Sequence, residues 1–174
     1  MSKFSAFPLE DQLVLLAQIG LAAVLGGIIG WERDRAGKQA GIRTHVLVCT
    51  ASAFATGLGE LVIGRNGLGD GTRTLHGVLT GMGFIGAGMI WTAKNRHGPT
   101  GLTSASTVML VAVIGAACGL GAPVVAAATT VLALATLMGI TILDRPGRDT
   151  ADAAPAAGAE AAGGPSRARE RPSS

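Results

Sequence analysis

The chain has no tyrosine, and its aromatic content is 3%. It has few charges as well, 14% against the roughly one quarter usual for a soluble domain. Negative charge is missing from the long middle stretch: no Asp or Glu stands between Asp70 and Asp144. Each shortage excludes something. Between Thr74 and Leu143 the charged residues are Lys94 and Arg96, too few to solvate the surface of a water-soluble fold. The net charge of +3 invites a nucleic-acid reading. It fails because there are few aromatics for stacking and the basic residues sit at the ends of apolar runs, where topology signals belong. The two cysteines, Cys49 and Cys118, lie inside apolar runs and read as buried free thiols rather than a disulfide.

What is present is apolar: 48% hydrophobic residues and 27 glycines in 174. The apolar runs predict an all-α polytopic transmembrane bundle of five spans, at about 13–31, 44–63, 74–92, 102–120 and 124–143. Lys and Arg concentrate in alternate loops. Arg33, Arg35, Lys38, Arg43, Lys94, Arg96, Arg145 and Arg148 share one side, and Lys3, Arg65 and Arg73 the other. The positive-inside rule then places the N-terminus outside and the C-terminus in the cytoplasm. The expected division is a transmembrane domain over 1–143 and a disordered cytoplasmic tail over 144–174. The tail is rich in Ala, Gly, Pro and charge, and poor in residues that could bury a core.

The third span carries Gly77, Gly81, Gly83, Gly86 and Gly88 in twelve residues. In water each glycine would weaken a helix by roughly 1 kcal/mol relative to Ala. Gly81–Gly86 spells G-x-G-x-x-G, but no acidic residue follows to hold a ribose and the run after it is apolar and then basic, so a dinucleotide site is rejected. At 100° per residue Gly77, Gly81 and Gly88 fall within about 40° of one another, and Gly83 and Gly86 lie roughly opposite. Two small-residue faces predict a central helix, closely approached by two or more other spans. The first span has a similar stripe, Gly20, Ala23, Gly27 and Gly30, with Gly26-x-x-x-Gly30 beside it.

Polar candidates cluster at the predicted cytoplasmic ends. Glu32-Arg33-Asp34-Arg35 closes the first span and Arg43-Thr44-His45 opens the second. A carboxylate–Arg pairing across the hairpin competes with plain solvated charge. His45 stands just inside the apolar boundary, as an interfacial hydrogen-bonder or as a titrating group. Thr103, Ser104, Ser106 and Thr107 open the fourth span, either capping it or lining a polar pocket with Arg43 and His45; capping is the preferred reading. No metal-ligand spacing and no nucleophile–base set is found, so no catalytic residue, metal or cofactor is expected and the chain does not read as an enzyme.

Four segments, G-G-I-I-G-W-E-R (26–33), A-G-I-R-T-H (40–45), T-G-M-G-F-I-G-A-G (80–88) and G-L-T-S-A-S-T (101–107), resemble the MgtC/SapB family of bacterial membrane proteins, in order and in spacing. The resemblance implies a five-span inner-membrane protein connected with growth at low magnesium, survival inside macrophages, and modulation of the F-type ATP synthase or the membrane potential. By position it points to Glu32, Arg33, Arg43, Thr44, His45, Gly81, Gly83, Phe84, Gly86, Gly88, Gly101, Thr103 and Ser104 as functional or partner-binding residues. The reading is a non-enzymatic regulator in the lipid bilayer that binds another membrane protein or complex, the F-type ATP synthase by resemblance, or a second copy of itself, and no nucleic acid. The alternative is a small transporter or channel subunit for an ion or polar solute with a cytoplasm-facing site.

Overall fold

A computed structural model describes residues 7–66, 70–92 and 101–143. The predicted tail, 144–174, and the basic loop with Lys94, Arg96 and His97 lie outside the described residues. Five helices follow in order: α1 (Leu9–Arg35), α2 (Ile42–Asn66), α3 (Gly71–Thr92), α4 (Leu102–Gly119) and α5 (Pro123–Leu143). There is no strand among the described residues. The first four helices are long and apolar enough to cross a membrane. The fifth is an apolar helix of 21 residues, about 31 Å long at 1.5 Å per residue. The chain divides into one unit through Leu137 and another from Met138, of which the described part is the last helical stretch, 138–143.

α1 runs beyond its apolar segment at each end. Glu10 and Asp11 occupy its first turn, and Arg33 and Arg35 its last. Both placements complement the helix dipole, so charge continues the helix past the point where hydrophobicity stops. At its C-terminus Gly37 takes φ 63°. The Gly37 N–H donates to Asp34 O and the Lys38 N–H to Arg33 O, at 3.0 and 3.1 Å. This is a Schellman closure, which needs a residue at ease in the left-handed region. α4 ends the same way at Gly121, φ 76°, and Pro123 then opens α5 at the position where its missing N–H costs nothing.

The core is built on α1, α2 and α4. Ala22, Leu25 and Ile29 of α1 meet Cys49 and Ala53 of α2 and Val111, Ile114 and Cys118 of α4; Ala126 and Ala133 of α5 complete the cluster. Glycines let these backbones close. A Cβ on Gly26 would stand 2.7 Å from Cys49 Cβ and 2.8 Å from His45 O, and one on Gly30 would stand 2.6 Å from Ile42 Cα. Gly115 and Gly119 do the same for α4, against the carbonyls of Cys49 and Ala53. The Thr56 hydroxyl donates across this seam to Ala116 O at 3.2 Å. Contacts that climb together, Cys49 with Gly115 and Ala53 with Gly119, show that α2 and α4 run parallel.

α3 is not the central helix that its glycines suggest. Within the spans, 61% of α4 is buried against 6% of α3. Among the described residues α3 does touch two helices, α4 and α2, but not α1. It packs through Val78, Met82 and Met89, which meet Val108 and Ala112 of α4. Gly77, Gly81, Gly83 and Gly88 point away from that stripe; a Cβ on any of them would meet nothing within 4 Å. Gly86 alone faces a neighbour, with Ala105 Cβ 3.8 Å from its added Cβ. The physical reason is that the bulky residues, not the small ones, took the inner face. In a bilayer either face of an apolar helix can be turned outward at similar cost.

Candidate functional site

Two places gather the residues singled out by sequence. The first is the α1–α2 turn. Asp34, in the last turn of α1, accepts the Ile42 N–H on Oδ2 at 3.0 Å and so caps the start of α2 from the preceding helix. A side chain on Gly41 would collide with that carboxylate, which explains the glycine. The pairing expected across the hairpin forms instead within α1. Arg33 Nε and Nη2 donate to the two carboxylate oxygens of Glu32. Arg33 is buried and Glu32 half-buried. Such a bidentate pair is geometrically specific, and it neutralises an arginine that burial would otherwise penalise.

His45 lies one turn into α2 and is fully buried, at 0% exposure. Its Nδ1 is 2.9 Å from Gly41 O. A carbonyl can only accept, so Nδ1 carries the proton and Nε2 of the neutral ring presents a bare lone pair. Among the described residues Nε2 is the one buried side-chain polar atom without a partner. Gly30 of α1 abuts the His45 Cβ, and Glu32, Arg33 and Asp34 lie within electrostatic reach of the ring. An orphaned acceptor in a packed interior costs about 1–3 kcal/mol, so it marks a place where a donor is wanted.

The remaining residues are more dispersed. Arg43 is exposed and Thr44 half-buried. Gly101 holds the N-cap position of α4 with φ 102° and no side-chain cap. Thr103 is therefore not a cap; it is exposed, and its carbonyl accepts from the Thr107 hydroxyl at 3.0 Å. Ser104 and Thr107 are buried, and the Ser106 hydroxyl returns to Leu102 O. The polar side chains that turn inward at this end are thus Arg33, His45, Ser104 and Thr107, while Arg43 and Thr103 face out.

The second place is the outer face of α3. Gly77, Gly81 and Phe84 fall on one helical stripe at four- and three-residue steps. Phe84 is 85% exposed between glycines on either side. A large ring flanked by hollows of the same helix suits interlocking with another helix. Gly83 is exposed too, and Gly86 is half-buried against α4. Around Gly86 the helix lies against α4, and among the described residues α1, with Glu32, makes no contact with α3.

Sequence reasoning passed over Asp34 and Gly41 as cap and clearance, and over Gly115 and Gly119. The last pair had a usable signal, since Gly115-x-x-x-Gly119 is the same small-residue spacing as Gly26-x-x-x-Gly30. Among the described residues no three His, Cys, Asp or Glu side chains gather as metal ligands would.

A family model described as the MgtC family matches residues 19–145. The chain is 34% identical over 152 residues to Protein SrpB of Synechococcus elongatus, covering 79% of this chain and 81% of SrpB. It is 37% identical over 114 residues to Protein MgtC of Brucella abortus, covering 66% of this chain and 46% of that protein. YhiD of Escherichia coli K12, whose name proposes a magnesium transporter, is 41% identical over 107 residues, 58% of this chain and 48% of YhiD. The chain thus spans most of SrpB but about half the length of MgtC and YhiD. No solved structure matches.

Proposed function

The chain belongs to the MgtC family of multi-pass bacterial inner-membrane proteins, and from that premise we propose that it is a non-enzymatic regulator that docks a second membrane protein on α3. The observation that carries this reading is the exposed stripe of Gly77, Gly81 and Phe84 on a helix whose span is 6% buried. Glycine on a surface that only meets lipid would gain nothing in packing, whereas glycine against a helix lets two backbones approach. The partner is another integral membrane complex, with the F-type ATP synthase as the first to test and a second copy of the chain as the other. In this reading the α1–α2 turn faces the cytoplasm and the N-terminus lies outside, as the Lys and Arg distribution favours.

The test is Gly81→Leu together with a photocrosslinking residue at position 84. The expected result is a captured membrane protein in the parent and none in the Gly81→Leu variant, while helix content and yield stay at the parent level. If no membrane protein is captured, or Gly81→Leu leaves capture and function unchanged, docking on α3 is refuted.

A second reading, a small transporter, is favoured by one observation: the buried and unpartnered His45 Nε2 beside Arg33. The name of YhiD points the same way for that relative. Ion or solute flux in liposomes that disappears with His45→Ala would support transport and overturn the regulator.

A further inference from the structure

The charges around the α1–α2 turn read as mixed in the sequence, E-R-D-R followed by Lys38 and Arg43. The structure sorts them. Glu32 is engaged by Arg33 inside the fold. Asp34 is engaged by the N-terminus of α2. Glu32 is thus charge-paired, whereas Asp34 is exposed and keeps its charge but turns it to the α2 N-terminus, so the outward cations exceed it three to one. Those cations are Arg35, Lys38 and Arg43, all exposed, and among the described residues none is joined to a carboxylate.

Their setting is rigid. Arg35 and Lys38 flank the Schellman closure at Gly37, Ala40 is buried at 4% exposure, and Arg43 lies in the first turn of α2. They also stand where the apolar run of α1 gives way to charge, just past Trp31. The Arg35 guanidinium lies over the ring of Trp31, 3.9 Å from its centroid, and Trp31 is 54% exposed. Trp at a span end seats at headgroup depth, and a guanidinium stacked on it is held there rather than extended into water.

We propose that Arg35, Lys38 and Arg43, with Trp31 as the apolar floor, form a binding site for the headgroup of an anionic phospholipid. The chemistry is charge complementarity on a preorganised frame. The guanidiniums donate to phosphate oxygens in bidentate fashion, the ammonium supplies a point charge, and the indole lies against the first acyl carbons. Juxtamembrane basic residues each favour anionic lipid by an amount that screening reduces, so the site is sensitive to salt. This site is independent of the partner assigned to α3.

Trp31 is its own reporter, since the chain has two tryptophans and Trp91→Phe leaves one. The Trp91→Phe protein is reconstituted in phosphatidylcholine nanodiscs, and a fixed fraction of lipid is replaced by brominated phosphatidylglycerol or by brominated phosphatidylcholine. The proposal expects Trp31 to be quenched by the anionic lipid with an apparent affinity roughly fivefold higher than by the zwitterionic one, falling toward parity at high salt. Arg35→Gln, Lys38→Gln and Arg43→Gln together should abolish the preference, and Arg35→Lys with Arg43→Lys, which keep the charge but lose the bidentate and stacked geometry, should retain only part of it. Equal quenching by the two lipids in the Trp91→Phe protein overturns the proposal, whatever the fate of the charge variants. Loss of the preference on adding soluble glycerol phosphate at millimolar concentration assigns the site to a free anion and overturns the lipid.

Discussion

Alanine at Gly26 and Gly30 is the sharpest probe of what holds the bundle together. The added methyl at position 26 would sit 2.7 Å from Cys49 Cβ and 2.8 Å from His45 O, and ordinary contact begins near 3.4 Å, so α1 and α2 must part by about 0.7 Å. At position 30 the obstacle is the Ile42 Cα, at 2.6 Å, and backbone cannot rotate away. Overpacking of this kind costs about 1–3 kcal/mol per site. Against it stands the gain of roughly 1 kcal/mol for replacing glycine by alanine within a helix. The double variant should therefore lose roughly 2 kcal/mol. Gly81→Ala has the opposite sign: its Cβ meets nothing within 4 Å, so the helix-propensity gain stands alone. The assay is reversible unfolding in mixed detergent micelles, followed by helix circular dichroism, with the three proteins compared at one detergent composition. The reasoning is refuted if the double variant is as stable as the parent, or if Gly81→Ala loses as much as it does.

Asp34→Ala removes the cap on Ile42 N–H, and should cost about 1 kcal/mol and speed amide hydrogen exchange in the first turn of α2 while leaving α4 unchanged. Thr56→Val deletes the hydroxyl bond to Ala116 O with little change in shape, and should cost roughly 0.6 kcal/mol in the same unfolding assay. Asp70 caps α3: its Oδ1 accepts the Thr72 N–H and hydroxyl at 2.9 and 2.7 Å. Those two bonds hold its carboxyl below the usual aspartate range. A lowered carboxyl stabilises the folded state fully above its unfolded value and loses that contribution as pH falls through the folded one. Exchange protection in the first turn of α3 should accordingly drop at the acid end of the range, below pH of about 4, and Asp70→Ala should abolish that pH dependence.

The five helices were legible because each is an apolar run bounded by charge or glycine, and the structure places all five at the expected positions. The ends were less legible. α1 extends to Leu9 and Arg35 because Asp and Arg favour opposite helix termini, an effect that hydropathy does not register. Which glycines serve as packing surfaces was legible for Gly26, Gly27 and Gly30 and misread for Gly20, Gly77, Gly81, Gly83 and Gly88. The 3.6-residue period tells which residues share a face, but in a bilayer both faces of α3 are apolar, and nothing in the pattern says which turns inward. At the α1–α2 turn the residue types were visible and their pairings were not. Glu32 turns to its neighbour Arg33, and Asp34 reaches eight residues ahead to Ile42, a contact set by loop geometry.

The parallel course of α2 and α4 has a consequence for how the chain can diverge. Two neighbouring helices of the same direction require an intervening stretch that carries the backbone back across the bilayer, and α3 is that stretch. Its minimum duty is length and apolarity, which many sequences satisfy. Val78, Met82 and Met89, with Gly86 against Ala105 and Thr74 against Gly59, are further constrained by the helices behind them. The outward side of α3 is released from the fold's own demands, so substitutions there can accumulate without loss of assembly. Any residue that stays fixed on that side across related chains would be kept by selection acting from outside the monomer.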